Sequence, residues 1–305
     1  MRLPGGTPAP MDAVQRAGAQ AAYLLRVHAL ERLGAALGAE GLAVLLVKGA
    51  ALAMSHYPRP WERAMADIDL VVRPGARERT LAALVKHGFT RVAGPERPLS
   101  RDFFGETCLT LACGAASVLF ELHTTLDKLV PRPVDHAAIF ARATPAPDLS
   151  GVWLPADEDH LLLLALHAAA HDFHHEPACA DVELLLARGL DEAAVLERAR
   201  RWRLGTVLFV MLSLLREGGS TRVSDGLLRA LEPGGLRLAA VQRYRAHVAD
   251  PETSRSLGWP WIARQTVLRD DLSAWVRGLV SYAGVRVVEA AMLRVRGDQP
   301  SFRAR

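Results

Sequence analysis

The sequence predicts an α+β chain, with a mixed α/β unit first and an all-α unit second. Three observations lead there. Short apolar or β-branched runs alternate with helix-forming stretches up to about residue 125, five prolines interrupt residues 130–157, and helix-length periodic segments fill the remainder. The 305 residues exceed one average domain, and the segments expected are a helical lead at 1–40, an α/β unit at 41–150 and a helical unit at 151–305.

Residues 1–10 read as a Pro/Gly tail. The Ala/Leu/Arg-rich stretch from Met11 to Leu37 predicts one or two helices, and the apolar run Gly41–Val47 a buried strand. Gly49–His56 has helical composition and stops near Tyr57-Pro58. Asp67–Arg73 alternates and is β-branched, with Pro74-Gly75 to end it, and predicts a second strand. Arg77–His87 is an amphipathic helix closed by Gly88, and Phe89–Val92 a short strand. Cys108–Ala112 and Ser117–His123 form a hairpin across Cys113–Ala116. The proline-bearing stretch 130–157 reads as a connection, and helices are expected over 157–174, 179–188, 191–202, 204–216, 222–231, 236–247 and 270–295.

Composition excludes several classes. Half the residues are hydrophobic and 23% are charged, which argues against a disordered, collagenous or coiled-coil chain. The longest apolar runs are far shorter than the roughly 18–20 residues needed to span a bilayer, so no membrane partner is expected. Three cysteines without a regular spacing fit a reducing, cytoplasmic setting. The net charge of +4 rests on 34 arginines and only three lysines, Lys48, Lys86 and Lys128, a bias that is weak evidence for nucleic acid.

Chemistry concentrates in a few residues. On a strand Asp67 and Asp69 project to one face about 6.5–7 Å apart, a geometry that suits a hard cation such as Mg²⁺, although for the pair alone two exposed acids at a strand end are the simpler account. The same alternation puts Leu119, Glu121 and His123 on one face of their strand, and a carboxylate amid apolar neighbours needs solvent or a cation as partner. Lys48-Gly49 stands at a strand-to-helix junction, where amides attract phosphate and an ammonium adds charge.

Lys48-Gly49-Ala50-Ala51-Leu52, Tyr57-Pro58, Arg63-x-Met65-x-Asp67-Ile68-Asp69-Leu70-Val71-Val72 and Phe120-Glu121-Leu122-His123 together resemble the bacterial uncharacterised nucleotidyltransferase family, a branch of the DNA polymerase β-like nucleotidyltransferase superfamily. The likeness spans residues 20–125 and continues more weakly over Leu161–Leu186. It implies a polymerase β-like core with a mixed sheet followed by a helical C-terminal domain. It also implies Mg²⁺-dependent transfer of a nucleoside monophosphate from an NTP to an acceptor, with release of pyrophosphate. The resemblance assigns Asp67, Asp69 and Glu121 to catalysis and to two Mg²⁺ ions, and Lys48, Gly49 and Arg63 to the nucleotide phosphates. Ala66 departs from the serine common before the first acid. The acceptor is open among a small molecule, a peptide, a protein and tRNA. A toxin-like enzyme acting on tRNA and an inactive nucleotide- or partner-binding relative are the rival readings.

Two further clusters stand out in the helical part. His167/His171 and His171/His175 are i,i+4 pairs, readable as a second metal site but better as polar contacts, with His123, His167 and His171 as pocket-lining candidates. Arg198, Arg200, Arg201 and Arg203 flank Trp202, which a polynucleotide site would use. A solvated helix face is the simpler account, so nucleic acid is not favoured.

Overall fold

The computed structural model describes residues 11–73, 75–92, 106–127, 132–173, 176–248 and 265–295. Helix α1 (Ala13–Ala39) is one continuous helix, started by Asp12 and Gln15, which cap one another's backbone amides. Strand β1 (Val44–Leu46) leads directly into α2 (Lys48–Ser55), and a 3₁₀ turn at Pro60–Glu62 precedes β2 (Asp67–Val72). Helix α3 (Arg77–Lys86), β3 (Thr90–Arg91) and the hairpin β4 (Glu106–Cys113) and β5 (Ala116–His123) follow.

The stretch expected to be a plain connection is structured. It holds α4 (His136–Arg142), β6 (Thr144–Pro145) and β7 (Val152–Leu154). Val44 and Leu45 of β1 pair in parallel with Val152 and Trp153 of β7, so the sheet runs beyond residue 150. Three-residue strands carry too little periodicity to stand out among prolines. Gly151 makes the joint: at φ +72° it brings its backbone so near β1 that a Cβ would lie 2.4 Å from the Leu42 carbonyl oxygen.

Among the described residues the sheet has seven strands in the order β3-β4-β5-β2-β1-β7-β6. It is mixed, because β2 pairs in parallel with β5 and antiparallel with β1. Side-chain alternation then separates two cores. On one face Ile68, Leu70, Val72, Phe120 and Leu122 pack with Leu30, Leu33 and Leu37 of α1 and with Leu81 and Leu84 of α3. On the other face Leu45 and Val71 join a larger core built from the later helices.

Those helices are α5 (Asp157–Ala170), α6 (Glu176–Leu186), α7 (Glu192–Arg201), α8 (Gly205–Glu217), α9 (Asp225–Leu231), α10 (Gly235–Val248) and α11 (Leu272–Val295). Leu161–Leu166 and Val207–Leu212 are buried throughout, as continuous apolar runs in packed helices should be. Among the described residues no helix is long and apolar enough to cross a membrane. The tail at 1–10 and His174 and His175 lie outside the described residues.

Candidate active site

The face of β2 that carries Asp67 and Asp69 looks toward the helical half, and parallel pairing fixes what stands next to it. Asp67 sits opposite Leu119, Asp69 opposite Glu121 and Val71 opposite His123. The hairpin continues the row, with Cys108 opposite Glu121 and Glu106 opposite His123. Three adjacent strands therefore present acids, an imidazole and a thiol along one stripe.

Asp69 is its centre, only 5% exposed. Its Oδ1 lies 2.5 Å from the Lys48 ammonium and 2.9 Å from His123 Nε2, and no described side chain bonds to its Oδ2. Burial alone would raise its pKa, but the His123 hydrogen bond and the Lys48 charge outweigh it and hold the carboxyl well below the usual carboxylate range. His123 Nε2 also stands 3.5 Å from Glu121 Oε2, and its Nδ1 4.0 Å from Glu106 Oε2. Burial works to lower the His123 pKa, but the bonds to Asp69 and Glu121 prevail and raise it. That same hydrogen bond lowers Glu121 against its own burial. Asp67 goes the other way: burial first, then the like charges of Asp69 and Glu121, raise it.

One ligand atom each from Asp69, Glu121 and His123 falls within 4.8 Å of the others, a set able to hold a metal ion. Glu106, Cys108 and Glu121 form a second such set. Asp67 belongs to neither, although its charge reaches both Asp69 and Glu121. Sequence reasoning passed over Glu106 and Cys108. The available signal was their alternation on β4, which the hairpin register converts into proximity.

Lys48 and Gly49 open α2. Val47 offers no side-chain cap, and its own amide bonds to the Asp69 carbonyl at 3.1 Å. Lys48 has φ +57°, the left-handed region that non-glycine residues rarely adopt. Its amide donates to His160 Nε2 at 3.0 Å. Gly49 has an ordinary φ, and its lack of a side chain serves something else. A Cβ there would come 2.9 Å from the Arg63 guanidinium carbon.

Arg63, expected at the triphosphate, is buried and committed elsewhere. Its Nε and Nη2 donate to the two oxygens of Asp181 at 2.8 and 2.7 Å, and Tyr57 Oη adds a third hydrogen bond at 2.8 Å. Asp181 on α6 is fully buried. The structure thus brings Lys48, Asp69, Glu121 and His123 together with Asp67 alongside, and puts Gly49 and Arg63 behind them as a packed support. His167 and His171 stack edge to face at 4.7 Å and belong to neither metal-capable set. In the arginine run, Trp202 is buried, which leaves no exposed ring for a base to stack on, and Arg198 is paired with Asp159.

Residues 11–218 match the model of the family described as Uncharacterised nucleotidyltransferase, a span that covers the sheet, the carboxylate stripe and the helices through α8. The chain belongs to that family. No curated protein matches it.

Proposed function

We propose that this member of the uncharacterised nucleotidyltransferase family transfers a nucleoside monophosphate from an NTP to an acceptor and releases pyrophosphate, on a polymerase β-like core. The observation that carries the reading is the register of β2 against β5, which sets Asp69 beside Glu121 with Asp67 one step along the same face. Carboxylates held on neighbouring strands at a strand-to-helix turn are what phosphoryl transfer needs, since its catalysis is positioning and charge neutralisation.

The donors fit a divalent cation. Asp69 is ionised, and no described side chain bonds to its Oδ2. Asp69 and Glu121, with Asp67 close by, would hold Mg²⁺ (two ions in the full reading), which supplies neutralisation of the triphosphate and polarisation of the acceptor oxygen. The remaining work falls to the chain. The start of α2 and the Lys48 ammonium bind the phosphates. Arg63, seated on Gly49 and locked by Asp181, buttresses that turn. The acceptor hydroxyl attacks the α-phosphorus in line, its proton passes to the Glu121 carboxylate, and the bond to the bridging oxygen breaks as pyrophosphate leaves. The acceptor is a small molecule, peptide, protein or tRNA.

The test is label transfer from α-³²P-NTPs with Mg²⁺ into cell extract. Wild type should label a discrete acceptor, and Asp69→Asn should reduce this by about a thousandfold or more. Equal labelling by Asp67→Ala/Asp69→Ala protein sinks the assignment. Nucleotide binding without pyrophosphate release would favour the inactive relative.

A further inference from the structure

Helix α2 begins under constraint. It starts without a side-chain cap, at a residue whose φ of +57° brings Cβ too close to the backbone carbonyl to be favourable for an L-amino acid. Such a conformation persists only where the surroundings impose it. On the sheet side the Lys48 ammonium is tied to Asp69, and on the other side its amide is met by a side chain from the helical half. His160, on the first turn of α5 and 112 residues away in sequence, accepts the Lys48 amide at 3.0 Å.

His160 is well suited to this. It is 2% exposed, and burial pushes its imidazole down to about 3, so it stays neutral and Nε2 can accept. The proton then resides on Nδ1. Nearby, His56 Nε2 bonds to Asp157 at 3.0 Å, and Asp157 also pairs with Arg188. Asp157, whose charge reaches His160, is thus already engaged.

We propose that His160 is a positioning residue for the nucleotide site: by accepting the Lys48 amide it holds Lys48 in the left-handed conformation that aims the ammonium at Asp69 and turns the start of α2 toward the triphosphate. The inference rests on the nucleotidyltransferase reading for its ligand but not for its geometry. It gives the helical half a specific task, since the acceptor for the Lys48 amide comes from α5 while the sheet holds the ammonium through Asp69. Without an acceptor at that point, a buried amide is left unpaired and Lys48 relaxes out of the strained conformation.

The experiment compares His160→Leu, which keeps bulk and removes the acceptor, with His160→Gln, whose Oε1 reaches the place of Nε2. Three quantities are read in the full chain: the Kd for ATP with Mg²⁺ by calorimetry, KM and kcat separately, and hydrogen exchange of the Lys48 amide. His160→Leu should raise Kd and KM about tenfold, change kcat less, and exchange the Lys48 amide faster. His160→Gln should recover most of all three. A folded His160→Leu protein with wild-type Kd and a protected Lys48 amide overturns the proposal, as does failure of the Gln variant to recover either. If wild type binds no NTP, the nucleotidyltransferase reading falls, and Lys48 exchange alone still decides the role of His160.

Discussion

Two buried ion pairs flank the start of α2, and they are built differently. Arg63–Asp181 is saturated: both carboxylate oxygens accept from the guanidinium, and Tyr57 adds a third donor. Lys48–Asp69 is not. Both described hydrogen bonds fall on one oxygen of Asp69, and further acids, Asp67 and Glu121, crowd the same cation. The saturated pair fixes α6 against the turn. The unsaturated one leaves an anionic site that still has affinity to give, which is the property a metal- and phosphate-handling centre requires.

The largest effect that would break this contrast is on stability. Asp181→Ala leaves Arg63 buried without its partner and should cost about 3–5 kcal/mol in urea unfolding. Asp69→Asn should cost under about 2 kcal/mol, because Lys48 keeps the charges of Asp67 and Glu121 and repulsion among the acids is relieved. Equal losses in the two variants would mean that both pairs are structural.

Next in size is the competition for Asp69. Removing the ammonium with Lys48→Met should tighten Mn²⁺ or Mg²⁺ binding about tenfold in calorimetry, since one unit charge no longer has to be displaced. Unchanged affinity would show that Lys48 and the metal do not share the carboxylate.

The smallest effect sharpens the comparison through pH. Asp67 has a folded pKa raised above its unfolded value, so its contribution favours folding at low pH and is lost as pH rises through the folded pKa. Asp67→Asn should therefore raise the Tm of metal-free protein at neutral pH and give no gain in strong acid. Excess Mg²⁺ should narrow the difference, because the cation offsets the repulsion that Asp67 feels in the wild type. A gain that is constant from acid to neutral pH would put its origin elsewhere than in charge.

Much of the centre was legible because strand alternation is a strong local signal. Ile68 in the core, Asp67 and Asp69 on one face, and Glu121 and His123 on one face of the hairpin all followed from period two. Pairing of β2 with β5 could not be read locally, although it is what makes Asp69 and Glu121 neighbours. The partner of Arg63 could not be read locally either. An arginine ahead of two acids looks available for phosphate, but its partner Asp181 lies 118 residues on, inside a helix that shows only apolar periodicity. The packing of Arg63 against Gly49 is equally invisible in the sequence. The tertiary contacts between the halves, His160 on Lys48 and Asp181 on Arg63, are long-range and carry no motif.

The parallel pairing of β1 with β7 has a consequence for how the protein is made. Val44 emerges from the ribosome 108 residues before Val152, its register partner. At roughly 5–20 residues per second, that strand waits on the order of five to twenty seconds for its neighbour. During the interval β1, which runs directly into Lys48, has an open edge able to pair with another nascent chain. The β1 side of the sheet is thus completed late, by a non-local contact of the kind that slows folding. Synthesis of the helical half begins just as the sheet closes, so α5 follows β7 out of the ribosome with His160 and reaches a strand ready to receive it.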